Sequence, residues 1–237
     1  MSQKTIWFKS DGLHLHGTLH LPAAHAPPVV IGAHGLMSSG ESPKQIALAE
    51  KCKENGIAYF RFDHRGCGQS DGEFAEVTTF AGRCRDLMDS VRSLLELNAT
   101  DNRIALFGSS LGGAAVLATA GEIKPRAIVT VAAPVRSAAI RPPYINNPAN
   151  SHVLESINRE QLFFDIADRI AGISNLLIFH GDADPIVPYD NALEIHELAD
   201  APKALVRQEN GDHPMSDEAH QAEFMRRTIE WYRDKLL

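Results

Sequence analysis

The sequence has few cysteines and no long apolar runs. Its three cysteines, Cys52, Cys67 and Cys84, form no Cys-x-x-Cys pair, which argues against a disulfide framework and against a thiolate zinc site. No apolar stretch reaches the roughly 18 residues of a membrane span. Residues 1–7 lack the apolar run of a signal peptide. We therefore expect a cytoplasmic protein that does not bind membranes.

Positive charge is also scarce. Lys and Arg total 23 against 30 for Asp and Glu, so the formal net charge is −7. Nucleic acid is not expected as a partner, because phosphate binding relies on concentrated Lys and Arg. No internal repeat, linker or low-complexity tract divides the 237 residues, of which 44% are hydrophobic. This length and composition predict one domain over residues 1–237.

Apolar patterning predicts alternating strands and helices. Residues 6–21 alternate around a Ser-Asp-Gly turn, which predicts an antiparallel hairpin. Short apolar runs at 29–31, 57–62, 104–107 and 127–133 then alternate with segments of helical spacing. This order is typical of an α/β protein with a mostly parallel central sheet and helices on both faces.

One long connection interrupts this order, at about residues 136–174. It opens with a proline-rich stretch that cannot form a regular helix. A helical spacing follows, carried by Ile157, Phe163, Phe164, Ile166 and Ile170. Because long connections inside a compact domain are usually functional, this insertion is expected to form a small helical cap.

A candidate nucleophile lies in Gly108-Ser109-Ser110-Leu111-Gly112, a G-x-S-x-G pattern between a buried strand and a helix. The glycines leave room for a sharp turn that exposes the Ser110 hydroxyl, and the Leu111 N–H opens the following helix, where a developing negative oxygen is favoured. The alternative is a glycine-rich helix start needed only for tight packing.

A serine hydroxyl needs a base, and candidate partners follow later strands. Asp182 and Asp184 come after a strand at 176–179, and His213 lies in a loop after a strand at 204–206. The carboxyl ends of parallel strands meet at one edge of a sheet, so these side chains can converge with Ser110. Both aspartates are candidates to orient His213, although Asp182 is better explained as a turn residue that bonds its own backbone.

Over nearly its whole length the chain resembles the α/β-hydrolase fold superfamily. The matching motifs are His34-Gly35-Leu36, Asp63-His64-Arg65-Gly66-Cys67-Gly68-Gln69-Ser70, Gly108-Ser109-Ser110-Leu111-Gly112, His180-Gly181-Asp182-Ala183-Asp184-Pro185-Ile186-Val187-Pro188 and Gly211-Asp212-His213. It looks most like small-capped serine esterases near the cinnamoyl and feruloyl esterases and like the serine-aminopeptidase-like hydrolases.

The resemblance implies roles for individual residues. It makes Ser110 the nucleophile, His213 the general base and then acid, and Asp184 the residue that orients His213. The second oxyanion donor beside Leu111 would be the backbone N–H of Leu36. Substrate-binding candidates are His34, Tyr144 and Phe163. No cofactor and no metal is implied.

Other features favour structural interpretations. His14, His16 and His20 share one face of a hairpin strand, which is better explained as a solvated face than as a metal site. The glycine-rich stretch after residue 65 fails the dinucleotide pattern, and Asp63 and Arg65 are expected to hold that loop by hydrogen bonds.

Three functions remain open at this level. The leading hypothesis is a hydrolase of small or aryl carboxylic esters, acting through an acyl-enzyme. The second is an aminopeptidase, amidase or thioesterase with the same triad, in which an acidic cap residue (Glu155, Glu160 or Asp165) could hold a substrate amine. The third is a non-catalytic, hydrolase-like ligand-binding protein. The short cap favours a shallow, open site for a small-molecule ester.

Overall fold

The computed structural model describes residues 2–141 and 159–237, whose strands form one eight-stranded sheet. The strands are β1 (Ser2–Ser10), β2 (Leu13–Leu21), β3 (Val29–Ala33), β4 (Ala58–Phe62), β5 (Ile104–Ser109), β6 (Ala127–Val131), β7 (Leu176–Gly181) and β8 (Lys203–Gln208). Their order is β1-β2-β4-β3-β5-β6-β7-β8. The pairs β1–β2 and β2–β4 are antiparallel and the others parallel, which confirms the predicted sheet and its N-terminal hairpin.

Helices connect these strands. They are α1 (Pro43–Glu54), α2 (Phe74–Val77), α3 (Phe80–Glu96), α4 (Leu111–Ile123), α5 (Ala167–Ile170), α6 (Asp190–Leu198) and α7 (Glu218–Leu236), with 3₁₀ turns at Ser137–Ala139 and Arg159–Leu162. The Ser42 hydroxyl caps α1 by accepting from the Gln45 N–H at 3.3 Å. None of the helices in the described part of the chain is long and apolar enough to cross a membrane.

The sheet is buried on both faces. Along β5, Ile104 and Leu106 pack against α3 and α4, whereas Ala105 and Phe107 pack with residues of α1 and α7. Because successive side chains of a strand point to opposite faces, a continuously apolar strand requires helices on both sides. This layering confirms the predicted arrangement of helices.

The parallel strands bring three loops to one edge of the sheet. Strand β5 lies near the centre, with β6, β7 and β8 following beside it in that order. The loops after β5, β7 and β8 therefore leave the same edge, although they are far apart in sequence.

The prediction that the histidine side chains of β2 form a solvated face is wrong. His16 and His20 are buried, and only His14 is exposed. The Nδ1 of His16 lies 3.3 Å from a carboxylate oxygen of Asp63. The Nε2 of His20 accepts a hydrogen bond from Arg61 at 2.9 Å. The neighbouring strand β4 and its loop cover this face, which a pattern within one strand could not reveal.

The prediction of one continuous amphipathic helix in the cap is also wrong. After the turn at Arg159–Leu162 the backbone bonds to the chain that follows β6, with the N–H of Ile166 donating to Val135 at 3.1 Å. These bonds take main-chain groups that a continuous helix would use. Helix α5 is therefore short, and Ile157 lies outside the described residues.

Candidate active site

Ser110 occupies a strained turn between β5 and α4. Its backbone angles are φ 53° and ψ −124°, a region that residues other than glycine rarely adopt. A side chain at Gly108 would lie 2.6 Å from the Gly112 carbonyl oxygen, so no larger residue fits beneath the turn. The Ser110 N–H donates to Val131 at 2.8 Å and fixes the turn to β6. The half-buried serine hydroxyl is thereby presented at the edge of the sheet.

His213 lies within hydrogen-bond distance of Ser110. Its Nε2 is 3.0 Å from the Ser110 Oγ, and its Nδ1 is 2.7 Å from Oδ2 of Asp184. The backbone segments that precede Asp184 and His213 are in close contact at Gly181 and Gly211, where neither position leaves space for a side chain. This contact helps to hold the two side chains together. The sequence prediction that Ser110, Asp184 and His213 converge matches these distances.

The Asp184 carboxylate is fixed on both oxygens. Its Oδ1 accepts from the N–H groups of Ile186 at 2.8 Å and Val187 at 2.9 Å, and Oδ2 faces His213 and His180. Burial alone would raise the pKa of Asp184, but hydrogen bonds from the two histidines outweigh it and hold that pKa well below its ordinary value. An ionised carboxylate only accepts, so Nδ1 of His213 carries the proton and Nε2 presents a lone pair to Ser110.

Asp182, the competing aspartate, points elsewhere. Its carboxylate accepts from the Arg207 Nε at 2.7 Å and from the Asn210 N–H at 2.6 Å. The hydrogen bond to Arg207 lowers the pKa of Asp182. Asp182 therefore braces the loop that carries His213, and its carboxylate also accepts a hydrogen bond from its own backbone N–H, as the sequence suggested.

The loop 34–36 crosses the start of α4. A side chain at Gly112 would clash with the carbonyl oxygen of Ala33. A side chain at Gly35 would lie 3.4 Å from the Cβ of Ser110. The first N–H groups of a helix have no partner inside that helix, so the Leu111 N–H opens onto this junction. The oxyanion roles of Leu36 and Leu111 stay predictions.

His34 is fully enclosed, with 1% of its surface exposed. Its Nε2 accepts from the His64 N–H at 3.1 Å, so the proton lies on Nδ1, which donates to the Gly35 carbonyl at 2.7 Å. Burial, with the charges of His64 and Arg83, holds the pKa of His34 well below its ordinary value. Both ring nitrogens are used inside the protein, which corrects the prediction that His34 contacts substrate.

A buried polar cluster on α3 was not predicted from the sequence. The Asp86 carboxylate accepts from Arg65 at 2.7 Å and lies 3.3 Å from Nδ1 of His64. Arg83, one turn earlier, donates to carbonyl oxygens of the loop 34–36. Phe80, Arg83 and Leu87 share the apolar face of α3, so a cation on that face was the signal available in the sequence.

The predicted cap residues have different outcomes. Phe163 is 71% exposed, and its role in binding substrate stays a prediction. Tyr144 and Glu155 lie outside the described residues. Asp165 is engaged by Arg136 at 2.9 Å. Its neighbour Phe164 is buried and stacks on Phe80, with ring centroids 4.1 Å apart.

A cavity of about 190 Å³ lies beside the loop 34–36. Its lining combines apolar and sulfur-containing side chains with short polar ones: Leu36, Met37, Ser38, Gly66, Cys67 and Phe74. Within residues 2–141 and 159–237, no group of three His, Cys, Asp or Glu side chains is arranged to hold a metal ion.

Known proteins resemble this chain in sequence. The model of the serine aminopeptidase S33 family matches residues 24–159, which include the loop 34–36 and Ser110. The uncharacterized protein YfhR of Salmonella typhi is 31% identical over 219 residues, covering 86% of this chain and 71% of YfhR. The mitochondrial palmitoyl-protein thioesterase ABHD10 of Mus musculus is 28% identical over 216 residues, covering 81% of this chain and 71% of the thioesterase.

A solved structure extends the likeness to the fold. Est1E from Butyrivibrio proteoclasticus, in complex with ferulic acid, aligns with a TM-score of 0.78 over 97% of this chain and 98% of Est1E. The two sequences are 19% identical, so this comparison concerns the fold alone.

Proposed function

The chain belongs to the serine aminopeptidase S33 family of α/β hydrolases, and on that premise we propose that it cleaves small or aryl carboxylic esters with Ser110, His213 and Asp184. The observation that carries the proposal is the hydrogen-bonded series from Ser110 Oγ to His213 Nε2 at 3.0 Å and from His213 Nδ1 to Asp184 at 2.7 Å. A nucleophile, a base and an orienting carboxylate in this geometry suit acyl transfer.

The proposed reaction has two halves. Ser110 Oγ bonds to the ester carbonyl carbon while its proton moves to Nε2 of His213. The tetrahedral intermediate collapses, and His213 returns the proton to the departing alcohol oxygen. Water then attacks the acyl-enzyme by the same proton route and releases the acid. Asp184 stays ionised throughout and stabilises the imidazolium.

The carbonyl oxygen becomes negative in each tetrahedral intermediate. The N–H groups of Leu36 and Leu111 are proposed to hold it, because the loop 34–36 and the start of α4 meet beside Ser110. Main-chain donors at a helix N-terminus need no reorganisation when the charge develops. This donor pair lowers the barrier to both halves of the reaction.

The cavity beside Leu36 supports a small substrate. Its volume of about 190 Å³ suits a short acyl chain or one aromatic ring, and its lining is mainly apolar. Est1E, which shares this fold, binds ferulic acid, an aryl acid. These observations favour small or aryl esters over bulky substrates.

Thioester cleavage is the second candidate, because ABHD10 of Mus musculus is a palmitoyl-protein thioesterase. Amide cleavage has less support. Of the three acidic cap residues considered for holding a substrate amine, Asp165 is already paired with Arg136. The family match supports an enzyme over a non-catalytic binding protein.

A substrate panel tests the proposal. Purified protein is assayed with p-nitrophenyl esters, acyl thioesters and amino-acid p-nitroanilides of matched acyl groups, and kcat/KM is compared. The highest kcat/KM for short or aryl esters supports ester hydrolysis. A preference for thioesters or anilides would move the assignment to the corresponding activity, and no turnover of any of them would refute it.

Ester hydrolysis is expected to fall as the pH is lowered through the mildly acidic range, because the His213 imidazole must be neutral to accept the Ser110 proton. The pKa of Asp184 is held well below its ordinary value, so this carboxylate stays ionised across that range and adds no second step. The test is kcat/KM between pH 5 and 9, with circular dichroism as a check on folding. A flat profile from pH 5 to 8 would contradict a histidine base.

Met37→Ala is expected to reduce kcat/KM for p-nitrophenyl hexanoate by roughly five- to tenfold and to change acetate hydrolysis little. Met37 lines the cavity, and its removal takes apolar contact from the longer chain. Leu97→Ala, an exposed change at the end of α3, is the control. Phe163→Ala, compared with wild type on the same two esters, tests whether the cap contributes to the choice of acyl chain. If the ratio of kcat/KM for the hexanoate ester to kcat/KM for the acetate ester is the same in wild type and Met37→Ala, this cavity is excluded as the acyl site.

A further inference from the structure

Arg83 is a buried cation beneath the loop 34–36. Its side chain extends from α3 and is 0% exposed. Nη1 donates to the carbonyls of His34 at 3.3 Å and Gly35 at 3.2 Å, and Nη2 donates to the carbonyl of Leu36 at 3.1 Å. One guanidinium therefore binds three successive carbonyl groups of the same loop.

These bonds determine the direction of the Gly35–Leu36 peptide. The Gly35 carbonyl receives Nη1 of Arg83 at 3.2 Å and Nδ1 of His34 at 2.7 Å, so it points toward the interior. The peptide is trans, and in a trans peptide the N–H points opposite to the carbonyl. The Leu36 N–H therefore faces away from Arg83. A side chain added at Gly35 would lie 3.4 Å from the Cβ of Ser110, so this peptide passes beside the nucleophile.

In the part of the chain that the structure describes, Arg83 forms no hydrogen bond with a carboxylate. Within the described residues its partners are the three carbonyls and, at 3.6 Å, the thiol of Cys67. Asp86 on the same helix bonds instead to Arg65 and His64. The negative charge of Asp86 still acts on Arg83 through space, but the direct contacts of the guanidinium are neutral acceptors, which offset only part of the cost of burying a cation. A partner that is negative only during the reaction would explain this placement.

We propose that Arg83 is a positioning residue for the oxyanion hole. Its guanidinium holds the Gly35–Leu36 peptide so that the Leu36 N–H aims at the oxygen bonded to the carbon under attack by Ser110. Its positive charge also polarises that peptide and strengthens the N–H as a donor. The inference rests on the proposed serine-hydrolase function and adds a residue that touches no substrate atom.

The first test separates kcat from KM. Arg83→Met is expected to lower kcat for p-nitrophenyl acetate about 10- to 100-fold, less than the loss of a whole oxyanion donor, with KM changed by less than about threefold. Arg83→Lys keeps a charge but reaches fewer carbonyls, so an intermediate kcat is expected. Arg92→Met, on the exposed face of the same helix, is the matched control and should keep wild-type kcat.

The second test reports on the oxyanion itself. A trifluoromethyl ketone with a ¹³C-labelled carbonyl adds to Ser110: Oγ bonds to the carbonyl carbon, the serine proton moves to His213, and the carbonyl oxygen becomes a hemiketal oxygen. Carbon NMR follows the pH at which that oxygen ionises. Arg83→Met is expected to raise this midpoint by about one pH unit, a tenfold weaker stabilisation of the anion. A purely structural role would leave the midpoint unchanged.

The outcomes separate this inference from the proposed function. Wild-type protein that neither hydrolyses esters nor adds the ketone at Ser110 refutes the serine-hydrolase function. Active wild type with an unchanged kcat and an unchanged midpoint in folded Arg83→Met overturns only the role of Arg83. If the methionine variant fails to fold in a thermal melt, Arg83→Lys decides in the same way: reduced kcat with a raised midpoint supports the role, and wild-type values refute it.

Discussion

Ser110→Ala is expected to abolish ester hydrolysis, with kcat reduced by at least about 10⁴-fold and the fold intact. The hydroxyl is the only atom of Ser110 that faces Nε2 of His213, at 3.0 Å, and alanine removes it without filling space. The strained backbone at φ 53° is held by the neighbouring glycines and by the bond to Val131, so the turn should survive the change. The measurements are turnover of p-nitrophenyl acetate and labelling by a fluorophosphonate probe.

The adjacent serine provides the matched control. Ser109→Ala makes the same chemical change one residue earlier, on a side chain that does not bond to His213. It should retain both turnover and labelling, whereas Ser110→Ala and His213→Ala should lose them. Wild-type turnover in Ser110→Ala, or loss of labelling in Ser109→Ala alone, would refute Ser110 as the nucleophile.

Asp184→Asn is expected to lower kcat by about 10³- to 10⁴-fold with little loss of stability, as a matching change does in a Ser-His-Asp protease. Asparagine keeps the shape of aspartate, but its amide can donate toward Nδ1 of His213. That favours the tautomer with the proton on Nε2, which cannot accept from Ser110. The lost charge also removes stabilisation of the imidazolium. Steady-state kinetics with p-nitrophenyl acetate measure the effect.

Asp182→Asn is the control for this prediction. The same substitution two residues earlier weakens the ion pair with Arg207 but leaves an oxygen to accept from the Asn210 N–H. Its effect on kcat should stay below about tenfold, because Asp182 contacts neither Ser110 nor His213. A larger loss in Asp182→Asn than in Asp184→Asn would reverse the assignment of the two aspartates.

Local sequence rules predicted much of the fold. Helix α1 begins at the Ser42 cap with Pro43 in its first turn and ends before Asn55 and the left-handed Gly56, because caps and left-handed turns depend on a few adjacent residues. The turn at Ser110 could also be predicted from the sequence, since its glycines are required by contacts within a few residues. The order of strands and helices followed from apolar spacing in the same way.

Predictions failed where the deciding contact came from a distant segment. His16 and His20 looked solvated on their own strand, yet Asp63 and Arg61 cover them. The cap segment had helical spacing, yet its backbone bonds to the chain after β6. His34 looked available to a substrate, yet its ring is enclosed between Gly35 and His64. In each case a partner elsewhere in the chain outweighed the local pattern.

The sequence by itself determined the order of elements, the strained turn at Ser110 and the three residue types that meet there, because backbone preference and apolar periodicity act over short distances. Only the tertiary structure decided that Asp184 rather than Asp182 faces His213, and that Arg83 lies under the loop 34–36. Ser110 and His213 are 103 residues apart. Their side chains lie 3.0 Å apart because the whole sheet places the loops after β5, β7 and β8 side by side. A short stretch of sequence cannot determine the relative placement of loops that lie so far apart along the chain.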